Sequence, residues 1–199
     1  MLASALVLIA LQALQAPPAP ASVTSIPAPR GLEKKLVDDA KDGKLDSMSL
    51  LDAAMVASGV PDADVATESA RAKAALAPAI NRAKQIADAH TRGDALLRAL
   101  HETVFRTYRT TATEIDDVVH SGDYNCLSSA LLYVVAANGL VDDPRAMVTK
   151  HHAFARVKVN GKPVDVETTT TYGFDADRKK LMTADYVKKI AGPDTTPAE

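Results

Sequence analysis

The sequence predicts an α+β protein, a helical N-terminal half followed by a C-terminal antiparallel sheet, and three features carry that expectation. Gly31 to about Arg106 has helical periodicity and punctuation. A second helix with a buried body opens at Cys126, directly after a turn. Asn160-Gly161 separates two β-rich runs, His152 to Val159 and Lys162 to Thr169, which is the strongest short-range hairpin signal. With 199 residues, 47% of them hydrophobic, the chain can bury one core of its own. No segment repeats at a period of roughly 20 to 50 residues, which excludes solenoids.

No charged side chain precedes Arg30, and Leu2 to Ala16 is an apolar run broken by Gln12 and Gln15. At about 15 residues it is shorter than the roughly 20 of a membrane-spanning helix and fits the hydrophobic region of a secretory signal. Ala19-Pro20-Ala21 offers a small-x-small cleavage pattern, so residues 1–21 read as a signal peptide and 22–30 as a Pro/Ala-rich linker. The expectation is an exported protein, periplasmic or secreted, with no transmembrane span after leader removal. A leader left uncleaved would retain it as an anchor.

Residues 31–110 form a helical lead-in, with Ala-rich helices expected at Leu50 to Ser58 and Ala79 to Ala89. Asp94 is expected to cap a helix whose Leu96, Leu97, Leu100, Val104 and Phe105 share one face. His90 and His101 read as solvated or hydrogen-bonded surface histidines, and His120 as surface or cleft rim.

Residues 111–190 form the core that carries the chemistry. Thr111 to Val119 reads as a linker or short helix, and Ser121-Gly122-Asp123-Tyr124-Asn125 as a turn. In the helix that follows, Leu127, Ala130, Leu131, Val134, Val135 and Asn138 share a face, Tyr133 is core, and Asn138-Gly139 is the stop. Beyond Tyr172 the chain is polar, with a solvated Arg178-Lys179-Lys180, a short helix at Thr183 to Ile190, and a disordered tail at 191–199.

A two-residue loop at Asn160-Gly161 sets the hairpin register. One face then holds Ala153, Ala155, Val157 and Val159 opposite Val164, Val166 and Thr168, an apolar surface that wants a core. The other holds His152, Phe154 and Arg156 opposite Asp165, Glu167 and Thr169. Asp165 faces Arg156 as a cross-strand ion pair, while Glu167 faces Phe154 and lies diagonal to His152, within side-chain reach of the imidazole. His151 points to the opposite face.

The formal charge of −2, from 23 basic and 25 acidic residues, argues against nucleic acid as a partner. A single cysteine closes no internal disulfide and forms no multi-cysteine zinc or iron–sulfur site. At a helix N-terminus, unpaired N–H groups and the macrodipole favour a thiolate, and the same N–H groups suit the oxyanion of a tetrahedral intermediate. Cys126 is therefore the candidate nucleophile, His152 the general base, and Glu167 the carboxylate that orients His152. Tyr124 and Asn125 flank the nucleophile, either as turn residues or as side-chain or backbone oxyanion donors. Metal ligation by His151, His152, Asp165 and Glu167 is the competing chemistry. It is disfavoured because the adjacent histidines face opposite ways and the chain has no His-x3-His pair.

Gly122-Asp123-Tyr124-Asn125-Cys126-Leu127-Ser128-Ser129, with His152-Ala153-Phe154-Ala155-Arg156-Val157 and Val166-Glu167-Thr168-Thr169, resembles the transglutaminase-like superfamily of bacteria. The resemblance covers roughly Leu50 to Gly173, including the Leu50-Leu51-Asp52-Ala53-Ala54 lead-in. It implies a papain-like fold, with a nucleophile helix packed on an antiparallel sheet that bears the His and the acid. Cys126 matches the nucleophile, His152 the base, and Glu167 the acid, where many relatives have Asp followed by Pro-Thr. Eukaryotic transglutaminases also carry Trp beside the cysteine and calcium sites; this chain has no Trp and no spaced Asp/Asn loop ending in Glu.

The expected activity is thiol-dependent amide hydrolysis or acyl transfer on a peptide or protein substrate, as protease, amidase or transglutaminase-type enzyme. It requires no cofactor and no metal. The alternative is a catalytically silent transglutaminase-like module used for binding or as a scaffold in the cell envelope.

Overall fold

In the computed structural model, which describes residues 27–176, helices dominate up to Ala137 and the larger sheet follows from Asp142 to Val166. The expected signal peptide, the disordered tail, the basic run at 178–180 and the helix at Thr183 to Ile190 lie outside the described residues. So does most of the 22–30 linker. Among the described residues no helix is long and apolar enough to cross a membrane.

The helices are α1 (Gly31–Asp39), α2 (Leu50–Ala57), α3 (Val65–Lys84), α4 (Ala89–Thr103), α5 (Ile115–Ser121) and α6 (Cys126–Ala137). The starts of α2 and α4 are chemically specified. The Ser49 side chain accepts the Asp52 N–H, and that of Asp88 accepts the Thr91 N–H at 2.8 Å. Asp88 rather than Asp94 is thus the cap of α4. Asp94 lies inside the helix and pairs with Arg98 one turn on, at 2.9 Å. The helix expected over Ala79 to Ala89 is correspondingly divided: α3 runs to Lys84, and residues 85–88 separate it from α4. α3 also passes through Pro78, because Ala72, Leu76, Ala79 and Ala83 are buried on both sides of the lost hydrogen bond.

The apolar face expected on α4 is realised, with Leu96, Leu97, Leu100, Val104 and Phe105 all buried, although the helix itself ends at Thr103. They share one hydrophobic core with Met55 of α2, Leu76 of α3, Leu132 and Tyr133 of α6, and Val157 and Val166 of the sheet. The lead-in and the later core are therefore packed as one body.

Three strands, β3 (Asp142–Val148), β4 (Ala153–Val159) and β5 (Lys162–Val166), form an antiparallel sheet in the order β3-β4-β5. The register expected for the hairpin is observed, with Val159 facing Lys162, Val157 facing Val164, Arg156 facing Asp165 and Ala155 facing Val166. Asn160 and Gly161 both take positive φ, 52° and 77°, the geometry that a tight hairpin turn demands. β3 is an addition to the sequence reading. It is an edge strand with an irregular register and an internal Pro144, and Pro163 likewise sits on the opposite edge, in β5. A shorter parallel pair joins β1 (Thr107–Tyr108) to β2 (Asp123–Tyr124), inside the segment expected to be a turn.

α6 packs on the apolar face of β4 and is covered nearly all round. The expected stripe is only partly its inner face, since Ala130 and Val134 are buried whereas Leu127, Leu131 and Val135 are half-buried. Ser128, Ser129, Leu132, Tyr133 and Ala137, outside that stripe, are buried as deeply as Ala130, because the lead-in helices enclose the side that a single-face reading leaves to solvent.

Candidate functional site

Cys126 is the first residue of α6, a free and half-buried thiol. The preceding residue sets the geometry. Asn125 has extended backbone and its side-chain oxygen accepts the N–H groups of Leu127 at 2.8 Å and Ser128 at 3.1 Å. The Ser128 hydroxyl accepts the Asn125 N–H in return, completing a capping box. The Asn125 carbonyl takes the Ser129 N–H, and the side-chain amide donates to the Thr110 carbonyl at 3.1 Å. Asn125 is thus a turn and cap residue whose side chain is committed to the backbone. Among the N–H groups of the first turn, that of Cys126 alone has no hydrogen-bond partner among the described residues.

Tyr124 is buried, and its ring packs in an aromatic group with His101, Phe105 and Tyr108 at centroid distances of 5.8, 5.0 and 5.8 Å. Burial raises its phenol above the ordinary value, so it is neutral. Its carbonyl accepts the Arg109 N–H at 2.8 Å, which fixes β2 and with it the approach to Cys126.

His152 enters β4 from a tight turn in which its carbonyl accepts the Thr149 N–H at 2.7 Å and its own N–H reaches the Thr149 hydroxyl at 3.1 Å. Its ring stacks on Phe154, and Arg156 lies over the other end of that strand face. Nε2 of His152 meets Oε2 of Glu167 at 2.5 Å, with the two side chains only 9% and 1% exposed. Oε1 of Glu167 accepts from the Thr169 N–H at 3.0 Å and from the Thr169 hydroxyl. Burial by itself would raise the Glu167 carboxyl, but the hydrogen bonds from His152 and then Thr169 outweigh it and hold the group below its ordinary value. The carboxylate therefore engages Nε2 and leaves Nδ1 as the second ring nitrogen of an oriented imidazole.

Glu167 reaches His152 by a different route from the one expected. The ladder ends at Ala155 and Val166, and Glu167 turns away from Phe154; its N–H bonds the Gly173 carbonyl at 2.9 Å. Residues 167–176 form a loop that doubles back on β5, with a bridge from Val166 to Phe174. The loop has no room for a side chain at Gly173, where a Cβ would overlap the Glu167 carbonyl oxygen.

The helix that Cys126 opens is set against the sheet by packing, and no hydrogen bond of the thiol itself ties it to the pair among the described residues. α6 lies against β4, and the hydroxyls of Ser129 and Thr168 meet at 2.9 Å, tying the first turn of α6 to the residue after Glu167. No hydrogen bond links the thiol to His152 among the described residues, and such contacts commonly tighten only with substrate bound.

The four residues of the competing metal reading do not converge on one point, since only His152 and Glu167 meet. His151 is exposed, Asp165 is held by Arg156 at 2.5 and 2.9 Å, and no group of three His, Cys, Asp or Glu side chains is placed to hold a metal ion among the described residues. His120 is exposed, as expected, and is held by Glu68 and Arg71. His90 bonds Asp175 at 2.8 Å. His101 departs from a surface role: its Nε2 lies 3.0 Å from the Thr168 carbonyl, on the inner side of the acid-bearing loop. No motif or spacing distinguished it in the sequence, because the carbonyl it meets lies 67 residues further along the chain.

These features define an α+β protein in which the helix that opens at a free cysteine packs on a sheet containing the hairpin. Compared with known proteins, the chain matches no family model, no curated protein and no solved structure.

Proposed function

We propose that the protein is a thiol-dependent amide hydrolase or acyltransferase of transglutaminase-like, papain-like architecture, using Cys126, His152 and Glu167. The observation that carries this reading is the buried 2.5 Å contact between His152 and Glu167, at the end of a sheet packed against the helix that opens with the only thiol. A buried carboxylate held in its charged form stabilises an imidazolium and fixes the ring. The position of Cys126 at the helix N-terminus, with its own N–H unpaired among the described residues, supports thiolate attack and oxyanion binding at one point.

In the proposed reaction the Cys126 sulfur attacks the amide carbon, forming the S–C bond as the carbonyl electrons move to oxygen, near the Cys126 N–H. Nδ1 of His152, having taken the thiol proton, returns it to the amine as the C–N bond breaks. A thioester remains. Water or an amine then attacks it and loses a proton to His152, releasing a carboxylic acid or a new amide and the thiolate. Glu167 holds Nε2 throughout. The substrate is a peptide or protein amide, and the setting is the exported one for which Leu2 to Ala16 argues.

The test is the pH dependence of iodoacetamide alkylation at Cys126, in the parent chain and in His152→Ala and Glu167→Ala. The reading requires an apparent pKa well below the free-thiol value of about 8.5, rising when His152 is removed. A value at or above that, or a thiol that reacts only on unfolding, would overturn it in favour of a silent binding or scaffold module.

A further inference from the structure

α4 belongs to the lead-in, yet one of its faces runs along the whole acid-bearing loop. His90 bonds Asp175 and meets the Phe174 ring edge-on at 5.0 Å. Gly93 leaves the space that the buried Phe174 ring occupies, since a Cβ there would overlap it. The Arg98 guanidinium lies 5.0 Å from the centre of the Tyr172 ring. His101 then bonds the carbonyl of Thr168, the residue after Glu167. These positions recur at helical spacing, so a single rigid element supports the loop from one end to the other.

His101 is the member of this row that also touches the nucleophile's side. Its ring packs edge-on against Phe105 at 5.2 Å and against Tyr124, two residues before Cys126, at 5.8 Å. A carbonyl oxygen only accepts, so Nε2 carries the proton and donates. We propose that His101 is a positioning residue of the triad, a strut that holds the loop bearing Glu167 at a fixed distance from the strand leading into Cys126. The proposal rests on the catalytic reading above. Thr168 is pinned on two sides, by His101 through its carbonyl and by Ser129 through its hydroxyl, so the Glu167 backbone can shift only if one of these bonds yields. Without the strut, Glu167 loses its aim at Nε2 of His152, and the imidazole loses the contact that fixes its orientation. Burial lowers the His101 imidazole from its ordinary value, more than the Thr168 bond raises it, so the ring serves as a neutral donor near neutral pH.

The experiment compares His101→Phe, which keeps an aromatic ring against Tyr124 and Phe105 but has no N–H, with His101→Gln, whose amide reaches the same carbonyl. In the full chain, the pH profile of iodoacetamide alkylation at Cys126 is measured beside the urea midpoint. For His101→Phe the expected result is an alkylation midpoint about one pH unit higher, equivalent to roughly tenfold less thiolate near neutrality, with His101→Gln close to the parent. A merely structural role would lower the urea midpoint and leave the alkylation profile in place, and that result would overturn the proposal. If His101→Phe does not fold, His101→Gln against the shorter His101→Asn makes the same comparison. A parent chain whose Cys126 titrates like a free thiol would refute the catalytic reading and the strut together. A depressed parent value unchanged in His101→Phe would refute the strut alone.

Discussion

The hydroxyls of Ser129 and Thr168 meet at 2.9 Å in a place closed to water, and this contact joins the helix that opens at Cys126 to the loop that carries Glu167. Both side chains are buried, so neither hydroxyl can turn to solvent when the other is removed. Ser129→Ala should lower unfolding free energy by about 1–3 kcal/mol, the cost of one buried unpaired hydroxyl. Urea denaturation measures it. A loss indistinguishable from zero would show that Thr168 finds another partner.

Acid should destabilise the protein through Glu167. Its carboxyl is held below its ordinary value of 4.5 by His152 and Thr169 in spite of burial, so between the two values the unfolded chain binds more protons than the native one. That contribution is complete above the unfolded value and is lost as pH falls through the native one. Urea midpoints from about pH 6 down to about pH 3 should therefore fall more steeply for the parent than for Glu167→Gln. Parallel slopes would contradict the assignment of a charged carboxylate.

Gly173→Ala should be severely destabilising, because its Cβ would overlap the backbone oxygen of Glu167 and not the tip of a flexible side chain. The expected cost is at least the roughly 1–3 kcal/mol of an overpacked core, seen as a lower thermal midpoint. Gly161→Ala is the comparison: its Cβ would meet nothing nearby, and only the left-handed backbone at φ 77° opposes it, for about 1–2 kcal/mol.

Asn125 separates capping from charge. Asn125→Ala removes acceptors for two backbone N–H groups and should cost about 1 kcal/mol of stability. Asn125→Asp keeps those acceptors, loses the donor to Thr110, and places a carboxylate one residue from the thiol. Alkylation of Cys126 near neutral pH should then be slower than in Asn125→Ala, because a neighbouring negative charge disfavours the thiolate. An equal or faster rate would argue that the helix end does not govern the thiol.

The local features were legible because each depends on residues near one another in the chain. Asn160-Gly161 fixed the register and hence the Arg156–Asp165 pair, and a turn followed at once by the apolar run placed Cys126 at a helix start. The nearness of His152 and Glu167 was also legible, though its geometry was not: the expectation of a continuing ladder missed the turn at Glu167, which depends on Gly173 and Phe174. The start of α4 was misplaced because Asp88 and Asp94 are equally good caps on paper, and only Asp88 has an N–H to accept.

What the sequence determined by itself was the α+β class, the hairpin and its faces, and the candidate set of Cys126, His152 and Glu167, all governed by periodicity and short-range turn chemistry. Tertiary structure decided the rest. It made β3 a strand, since an edge strand with Pro144 and mixed burial has no alternation to announce it and exists because β4 offers a free ladder edge. It also brought α4 beneath the acid-bearing loop, giving His101 a carbonyl to hold that lies 67 residues away in the chain. Such a contact arises from how whole elements stack, and no periodicity within either segment encodes it.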